Sequence, residues 1–113
     1  ISDNAEIVEM MASGAHMTVF VTGRGSVVGS ALAPVIKVAA NPEMYDRLHE
    51  DMDINAGRIM TGDAGLDEIG AEIFDLVGQV AAGQQTKSED LGHQEFILTY
   101  KTFEPIGPAC LPA

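Results

Sequence analysis

Apolar residues recur along the chain at two different spacings, and these spacings predict helices and strands that alternate. Spacings of three and four residues predict helices over residues 4–13, 42–49 and 66–82. Runs that are almost continuously apolar predict strands over residues 15–21, 35–40 and 95–100. Residues 51–60 alternate apolar with polar positions, which favours a half-buried strand or an extended loop. Residues 84–92 predict a polar loop, and the prolines beyond position 104 predict an irregular tail.

The helix predicted over residues 66–82 has the clearest pattern. Asp67 in its first turn suits a helix N-terminus, and Gly83 is a suitable residue to follow its C-terminus. Two glycines, Gly70 and Gly78, lie inside the helix, and each weakens it by up to about 1 kcal/mol relative to Ala. Close packing against a sheet or another domain would explain why the helix tolerates glycine at these two positions.

The alternation of strands and helices predicts a three-layer, Rossmann-like α/β domain with a small, mainly parallel sheet. The 113 residues suffice for one domain with a modest core, and 46% of them are hydrophobic. Neither a repeat nor a linker interrupts the sequence, so residues 1–113 are predicted to form one domain. The chain opens at Ile1 without an initiator Met, directly at a predicted helix, which indicates a piece of a longer polypeptide.

The net charge of −11 and the pI near 4.3 limit the partners that the chain can have. Nucleic-acid binding needs clustered Lys and Arg, so the composition argues against a nucleic-acid partner. An anionic ligand would have to be captured by a local positive pocket, because the overall charge repels it. The sequence has neither a signal peptide nor an apolar run long enough to cross a membrane, so we expect no membrane partner and a cytoplasmic location.

Cysteine and histidine usage is sparse. The single cysteine, Cys110, excludes an internal disulfide and a cysteine-based zinc cluster. The three histidines, His16, His49 and His93, show no ligand spacing, so we do not expect a metal site complete within this chain.

A glycine-rich segment follows the strand predicted over residues 15–21. It includes Gly23, Arg24, Gly25 and Ser26. Glycines at the carboxyl end of a strand let backbone N–H groups surround a small anion, and open α/β sheets bind ligands at this edge. Arg24 adds a guanidinium that matches a carboxylate or phosphate. The segment therefore predicts a loop for an anionic ligand; the alternative is a tight turn without a ligand.

Further polar residues lie within an apolar strand or beside a glycine, where they could have either a functional or a structural role. Lys37 interrupts an apolar strand, where burial would lower the pKa of its amine toward that of a useful base. Alternatively, Lys37 lies at a strand end and reaches solvent. Asp53, Asn55 and Arg58 flank a glycine, where they could bind substrate hydroxyls or a metal, or only form turn hydrogen bonds.

Four motifs in a fixed order are more specific than any one of them. They are Thr22-Gly23-Arg24-Gly25-Ser26, Pro34-Val35-Ile36-Lys37-Val38, Asn41 and Asp53-Ile54-Asn55-Ala56-Gly57-Arg58. With these motifs, residues 18 to 100 of the sequence resemble the C-terminal domain of the altronate/galactarate dehydratase family.

The resemblance implies a cytoplasmic sugar-acid hydro-lyase with further domains N-terminal to this one. It implies a small-molecule hydroxy-acid substrate and a divalent metal ion, usually Fe²⁺, with ligands outside this chain, and it is compatible with a homo-oligomer. The isolated 113-residue piece is then expected to be inactive. The residues expected to bind substrate are Gly23, Arg24, Gly25, Ser26, Asn41, Asp53, Asn55 and Arg58, and Lys37 is the expected catalytic residue.

The substrate stays open at this point. The same family includes sulfolactate sulfo-lyase large subunits, which eliminate sulfite where the sugar-acid enzymes eliminate water. Residues 25–29 and the segments 91–96 and 103–110 depart from the sugar-acid pattern. Two other classes of function compete: a nucleotide- or phosphate-binding module, against which the glycine spacing argues, and a structural domain that only builds the oligomer.

Overall fold

The computed structural model describes residues 3–97, in which three parallel strands form an open sheet in the order β1–β2–β3. The strands are β1 (Thr18–Thr22), β2 (Val35–Ala39) and β3 (Ile54–Asn55). Thr18 lies opposite Val35 and Val38 lies opposite Ile54, which fixes the register of both strand pairs. All five residues of β2 are buried, as expected of a central parallel strand covered on both faces.

Five helices connect and cover the strands. They are α1 (Asp3–Ala12), α2 (Pro42–Leu48), α3 (Arg58–Thr61), α4 (Leu66–Ala81) and α5 (Lys87–Asp90). The α2 helix begins where the sequence indicates, because Asn41 caps its N-terminus and Pro42 occupies its first turn.

The two faces of the sheet pack against different helices. Alternate residues of a strand point to opposite faces, and on one face Ile36 and Val38 form a core with Ile69 and Val80 of α4. On the other face Val35 packs with Ile7 of α1 and with Val28, and Ala39 packs with Met44 of α2 and Met52. Helices therefore cover both faces of a small parallel sheet, which confirms the predicted α/β class and its three layers.

Several predicted elements differ from the structure. The segment 51–60, predicted to be extended, pairs with β2 over two residues only and then turns into α3. The predicted polar loop 84–92 contains α5, whose first turn is closed by a capping box in which Thr86 and Glu89 bond each other's backbone N–H. Residues 95–97 of the strand predicted over 95–100 are not in a strand, and the rest of it, like the predicted tail, lies outside the described residues.

The glycines inside α4 do not pack against the sheet in the described residues, and packing against another domain stays a prediction. A Cβ added at Gly70 or Gly78 would meet nothing within 4 Å. Both positions are exposed, so within residues 3–97 the helix carries open surface there instead of a tight contact.

No helix within the described range is both long and apolar enough to span a membrane.

Candidate functional site

The carboxyl ends of the three strands lie at one edge of the sheet, because all the pairings are parallel. The glycine loop of residues 23–26 follows β1, Asn41 follows β2, and Asn55 and Arg58 lie at the end of β3 and just beyond it. The structure thus brings most of the predicted site residues to the edge where open α/β sheets bind ligands.

Gly25 holds the shape of the glycine loop. Its φ of +97° is unfavourable for a residue with a side chain, and its N–H donates to Thr22 Oγ1 over 3.1 Å. A Cβ at this position would also collide with the side chain of Leu48 at the end of α2. The backbone conformation at Gly25 therefore favours glycine, and a larger residue would also require the Leu48 side chain to move.

The segment that follows this loop contacts His93 and Glu95, near the end of the described range. The N–H of Gly29 donates to Glu95 Oε2 over 2.9 Å, and a Cβ on Gly29 would overlap the backbone of His93. The Ser26 hydroxyl accepts the N–H of Val28 over 3.2 Å, so it stabilises the loop locally. The segment between β1 and β2 is thus held near its start, at Gly25, and near its middle, at Gly29.

Arg24 lies in the middle of this fixed loop and is exposed. Its guanidinium makes neither a hydrogen bond nor an ion pair with any side chain among residues 3–97. Gly23 beside it is exposed, with open space where a Cβ would be. A cation on a rigid turn at the carboxyl edge of the sheet can bind the carboxylate of an incoming acid.

Lys37 lies two residues before the end of β2, and its side chain is 0% exposed. Its Nζ is buried without a hydrogen-bond partner among the described residues. Burial lowers the pKa of the Lys37 amine, and the carboxylates of Asp51, Asp53 and Glu95 oppose that shift only in part. The sequence left two interpretations of Lys37, a buried amine or a strand-end lysine that reaches solvent. The buried position does not fit the second.

Asp53 lies next to Lys37 and connects two elements through its carboxylate. Its Oδ2 accepts the N–H of Lys37 over 2.7 Å, and its Oδ1 accepts the N–H of Lys87 over 2.9 Å. The N–H of Asp53 in turn donates to the Lys37 carbonyl over 2.9 Å. The carboxylate therefore ties α5 to β2 and keeps a negative charge near the buried amine.

The remaining predicted residues have local partners. Asn41 Oδ1 accepts the N–H groups of Glu43 and Met44, as a helix cap does. Asn55 Oδ1 accepts the N–H of Gly57 over 3.0 Å, and a Cβ on Gly57 would collide with Pro42 at the start of α2. These contacts explain why Asn and Gly stand at these positions, whether or not a ligand also binds here.

Arg58 differs from Arg24 because a carboxylate already accompanies it. Its Nη2 pairs with Glu72 of α4, and its Nε donates to the Asn55 carbonyl over 3.0 Å. The hydrogen bond to Glu72 raises the pKa of Arg58 further above its ordinary value, so the guanidinium stays charged. A substrate anion would have to compete with Glu72 for Arg58.

The sequence interpretation missed three residues that shape this region. Thr22 and Glu95 accept backbone N–H groups of the glycine loop, and Ser88 of α5 donates to the Val35 carbonyl over 3.2 Å. For α5 a signal was present, since Thr86 followed three residues later by Glu89 is a capping-box pattern. For Glu95 no local pattern exists, because its partner is 66 residues away.

The described residues do not form a metal site by themselves. In the range 3–97 no three His, Cys, Asp or Glu side chains converge in a way that could hold a metal ion. The carboxylate of Asp53 is already used by two backbone N–H groups. These residues therefore do not fit the divalent ion that the resemblance implies.

Comparison with known proteins gives consistent matches. A family model described as "D-galactarate/Altronate dehydratase, C-terminal" matches residues 1–103. The (2R)-sulfolactate sulfo-lyase subunit beta of Chromohalobacter salexigens is 34% identical over 96 residues, which make up 84% of this chain and 25% of that protein.

Two proteins of Escherichia coli match as well. Galactarate dehydratase (L-threo-forming) is 40% identical over 82 residues, which make up 73% of this chain and 16% of that protein. Altronate dehydratase is 32% identical over 80 residues, which make up 71% of this chain and 16% of that protein. This chain spans a quarter or less of the length of these relatives.

Proposed function

This chain belongs to the D-galactarate/altronate dehydratase family as a C-terminal domain of it, and from this membership we propose that it supplies binding and elimination chemistry to a sugar-acid hydro-lyase. The family predicted from the four motifs is confirmed by the match over residues 1–103. The observation that carries the proposal is Arg24, an exposed guanidinium without a carboxylate partner in the described range, on a fixed loop at the ligand-binding edge of the sheet.

The proposed reaction is the loss of water from a hydroxy acid. A base removes the proton from the carbon next to the carboxylate, and that electron pair forms a carbon–carbon double bond as the carbon–oxygen bond to the neighbouring hydroxyl breaks. An acid donates a proton to the departing hydroxyl, which leaves as water. Negative charge develops on the substrate carboxylate during proton removal, so a cation held against that carboxylate stabilises the transition state more than the ground state.

In this scheme Arg24 and the backbone N–H groups of Gly23 and Ser26 bind the substrate carboxylate. The N–H of Gly25 is already used by Thr22, so Gly25 contributes the shape of the loop. Asn41, Asn55 and Arg58 lie at the same edge, where they would contact the substrate hydroxyls. Asp53 contributes through its contact with the Lys37 backbone.

Lys37 is the proposed base. Its burial lowers the pKa of the amine, which increases the neutral fraction that can accept a proton. Because the side chain is fully covered, contact with a substrate requires displacement of the groups that cover it.

The proposal includes partners beyond the described residues. They are the other domains of the longer enzyme and a divalent metal ion, Fe²⁺, with ligands outside this chain. Residues 3–97 contain no donor set that fits this ion, so its ligands would come from other parts of the enzyme. The proposed location of the enzyme is the cytoplasm.

The decisive test compares arginine variants of the intact enzyme. We expect Arg24→Ala to lower kcat/KM on a sugar acid by at least about a hundredfold, as for loss of a charge-assisted substrate contact. Arg47→Ala is the matched control, because Arg47 is also exposed but forms an i,i+4 ion pair with Glu43 on α2. Near-normal kinetics in Arg24→Ala would remove Arg24 from the site.

A second candidate function is that of a sulfolactate sulfo-lyase-like subunit. Its support is the relative from Chromohalobacter salexigens, which matches 84% of this chain, the largest share among the three relatives described above. Assays of the intact enzyme on galactarate, altronate and sulfolactate distinguish the two reactions. Release of sulfite from sulfolactate, with no turnover of either sugar acid, would favour the second function.

A further inference from the structure

The α4 helix carries more apolar surface than the sheet uses. Ile69 and Val80 are buried against the sheet, whereas Leu66 is 75% exposed and Phe74 is 77% exposed. A helix that covers one face of a sheet needs a single apolar stripe, and its outer side is normally polar. A phenylalanine buries about 150–250 Å² in a contact, and because Phe74 is 77% exposed, most of that area is still uncovered there.

The exposed apolar residues form a regular line along the helix. Leu66, Gly70, Phe74 and Gly78 follow one another at intervals of four residues, and we call this line the α4 ridge. Side chains at this spacing form one of the ridges that interdigitate when two helices pack. The glycines leave open space between and beyond the two large side chains, since a Cβ at either would meet nothing within 4 Å. The shape fits a second helix.

Charge restricts which helix fits. The polar side of α4 carries Glu68, Asp75 and Glu72, of which Glu72 already pairs with Arg58, and the helix contains no Lys, Arg or His. Opposite charges across an interface favour association, and like charges set against one another oppose it. A complementary helix therefore has an apolar face with Lys or Arg along one edge.

A second copy of this chain does not supply such a helix within residues 3–97. Two α4 helices packed together would set acidic edges against each other. The other described helices hold three cations, and each is engaged: Arg47 with Glu43, Arg58 with Glu72, and Lys87 with the His49 carbonyl.

We propose that the α4 ridge docks against a Lys- or Arg-edged apolar helix of the same lyase polypeptide, outside this chain. The inference rests on the proposed function, and the length of the relatives supports it, since this chain spans only 16–25% of them. The docking fixes the carboxyl edge of the sheet relative to the rest of the enzyme, because α4 packs directly beneath β2 and β3.

Site-specific photo-crosslinking in the intact polypeptide tests the docking. Phe74 is replaced by p-benzoyl-phenylalanine, and the matched control places the same residue at Gln79, which is exposed about 140° further round the helix. We expect Phe74 to give at least about ten times more crosslink than Gln79. Mass spectrometry should place that crosslink within one polypeptide, on a helix that carries Lys or Arg.

Two results would overturn the inference: an α4-to-α4 crosslink between two polypeptides, or equal yields at both positions. Turnover of sugar acids and sulfolactate is measured on the same samples before irradiation. An enzyme that is inactive on all three acids but gives a strong Phe74 crosslink would refute the proposed function and leave the docking in place. An active enzyme with equal crosslink yields at Phe74 and Gln79 would refute only the docking.

Discussion

Replacement of Lys37 by methionine separates a functional lysine from a structural one. The Lys37 side chain is fully buried, and its Nζ has no hydrogen-bond partner in the described part of the chain. Methionine has a similar length and needs no hydrogen bond. An unsatisfied buried polar group costs about 1–3 kcal/mol, so we expect Lys37→Met to raise the free energy of unfolding by about that amount near pH 7.

The stability gained by Lys37→Met should depend on pH, and the lowered pKa of Lys37 determines the direction of that dependence. Burial places the pKa of Lys37 in the folded state below its ordinary value of 10.5, so the unfolded chain binds the proton more tightly. Between the folded-state pKa and 10.5 the wild-type chain therefore gains stability as pH rises, by up to about 1.4 kcal/mol per pH unit. The advantage of Lys37→Met should be largest below this window and should shrink as pH approaches 10.5.

Urea unfolding followed by circular dichroism, at several pH values, measures both effects. Lys87→Met is the control, because it changes the net charge equally but removes an amine that donates to the His49 carbonyl at the surface. Activity of the intact enzyme is measured alongside, and we expect Lys37→Met to lower kcat by at least about a hundredfold, as for loss of a general base. A loss of stability in Lys37→Met, with the same pH profile as in Lys87→Met, would show that the amine is paired in the protein and would refute the reasoning.

Three further predictions follow from the loops and from the size of the domain. Gly25→Ala should lower the free energy of unfolding by about 1–3 kcal/mol because φ at this position is +97°; Gly23→Ala, where a Cβ meets open space, is the control, and equal losses in urea unfolding would contradict the assignment. Asn41→Ala should cost about 1 kcal/mol through loss of the α2 cap, and a kcat/KM reduced more than tenfold would indicate substrate contact in addition. The isolated 113-residue chain should show no turnover of galactarate, altronate or sulfolactate, and measurable turnover would contradict the need for the other domains.

Sequence predicted the elements whose signals are local. Helix α4 matches its prediction to within one residue because its apolar periodicity is strong, and α2 begins at Pro42 because Asn41 supplies the cap. The short strand β3 was harder to predict from the sequence, because its length depends on pairing with β2 and on the close approach of Gly57 to Pro42. That approach is a tertiary contact and leaves no periodic pattern in the sequence.

The position of the candidate site could be predicted from the sequence, but the hydrogen bonds and ion pairs of its residues could not. Glycines and an arginine after an apolar strand indicated the edge of the sheet, and the loop lies there. Nothing local indicated that Asp53 would be occupied by two backbone N–H groups, or that Glu72 would accompany Arg58. Those partners come from other elements of the chain, so only the fold shows that, within residues 3–97, Arg24 has no carboxylate partner whereas Arg58 has one.

The anchoring of the glycine loop bears on which of its side chains can change without a change of the backbone. Leu48 confines the loop at Gly25, and Glu95 holds it at Gly29, whereas Arg24 and Val27 face outward. Natural variation can therefore exchange the outward side chains one at a time without refolding the frame that presents them.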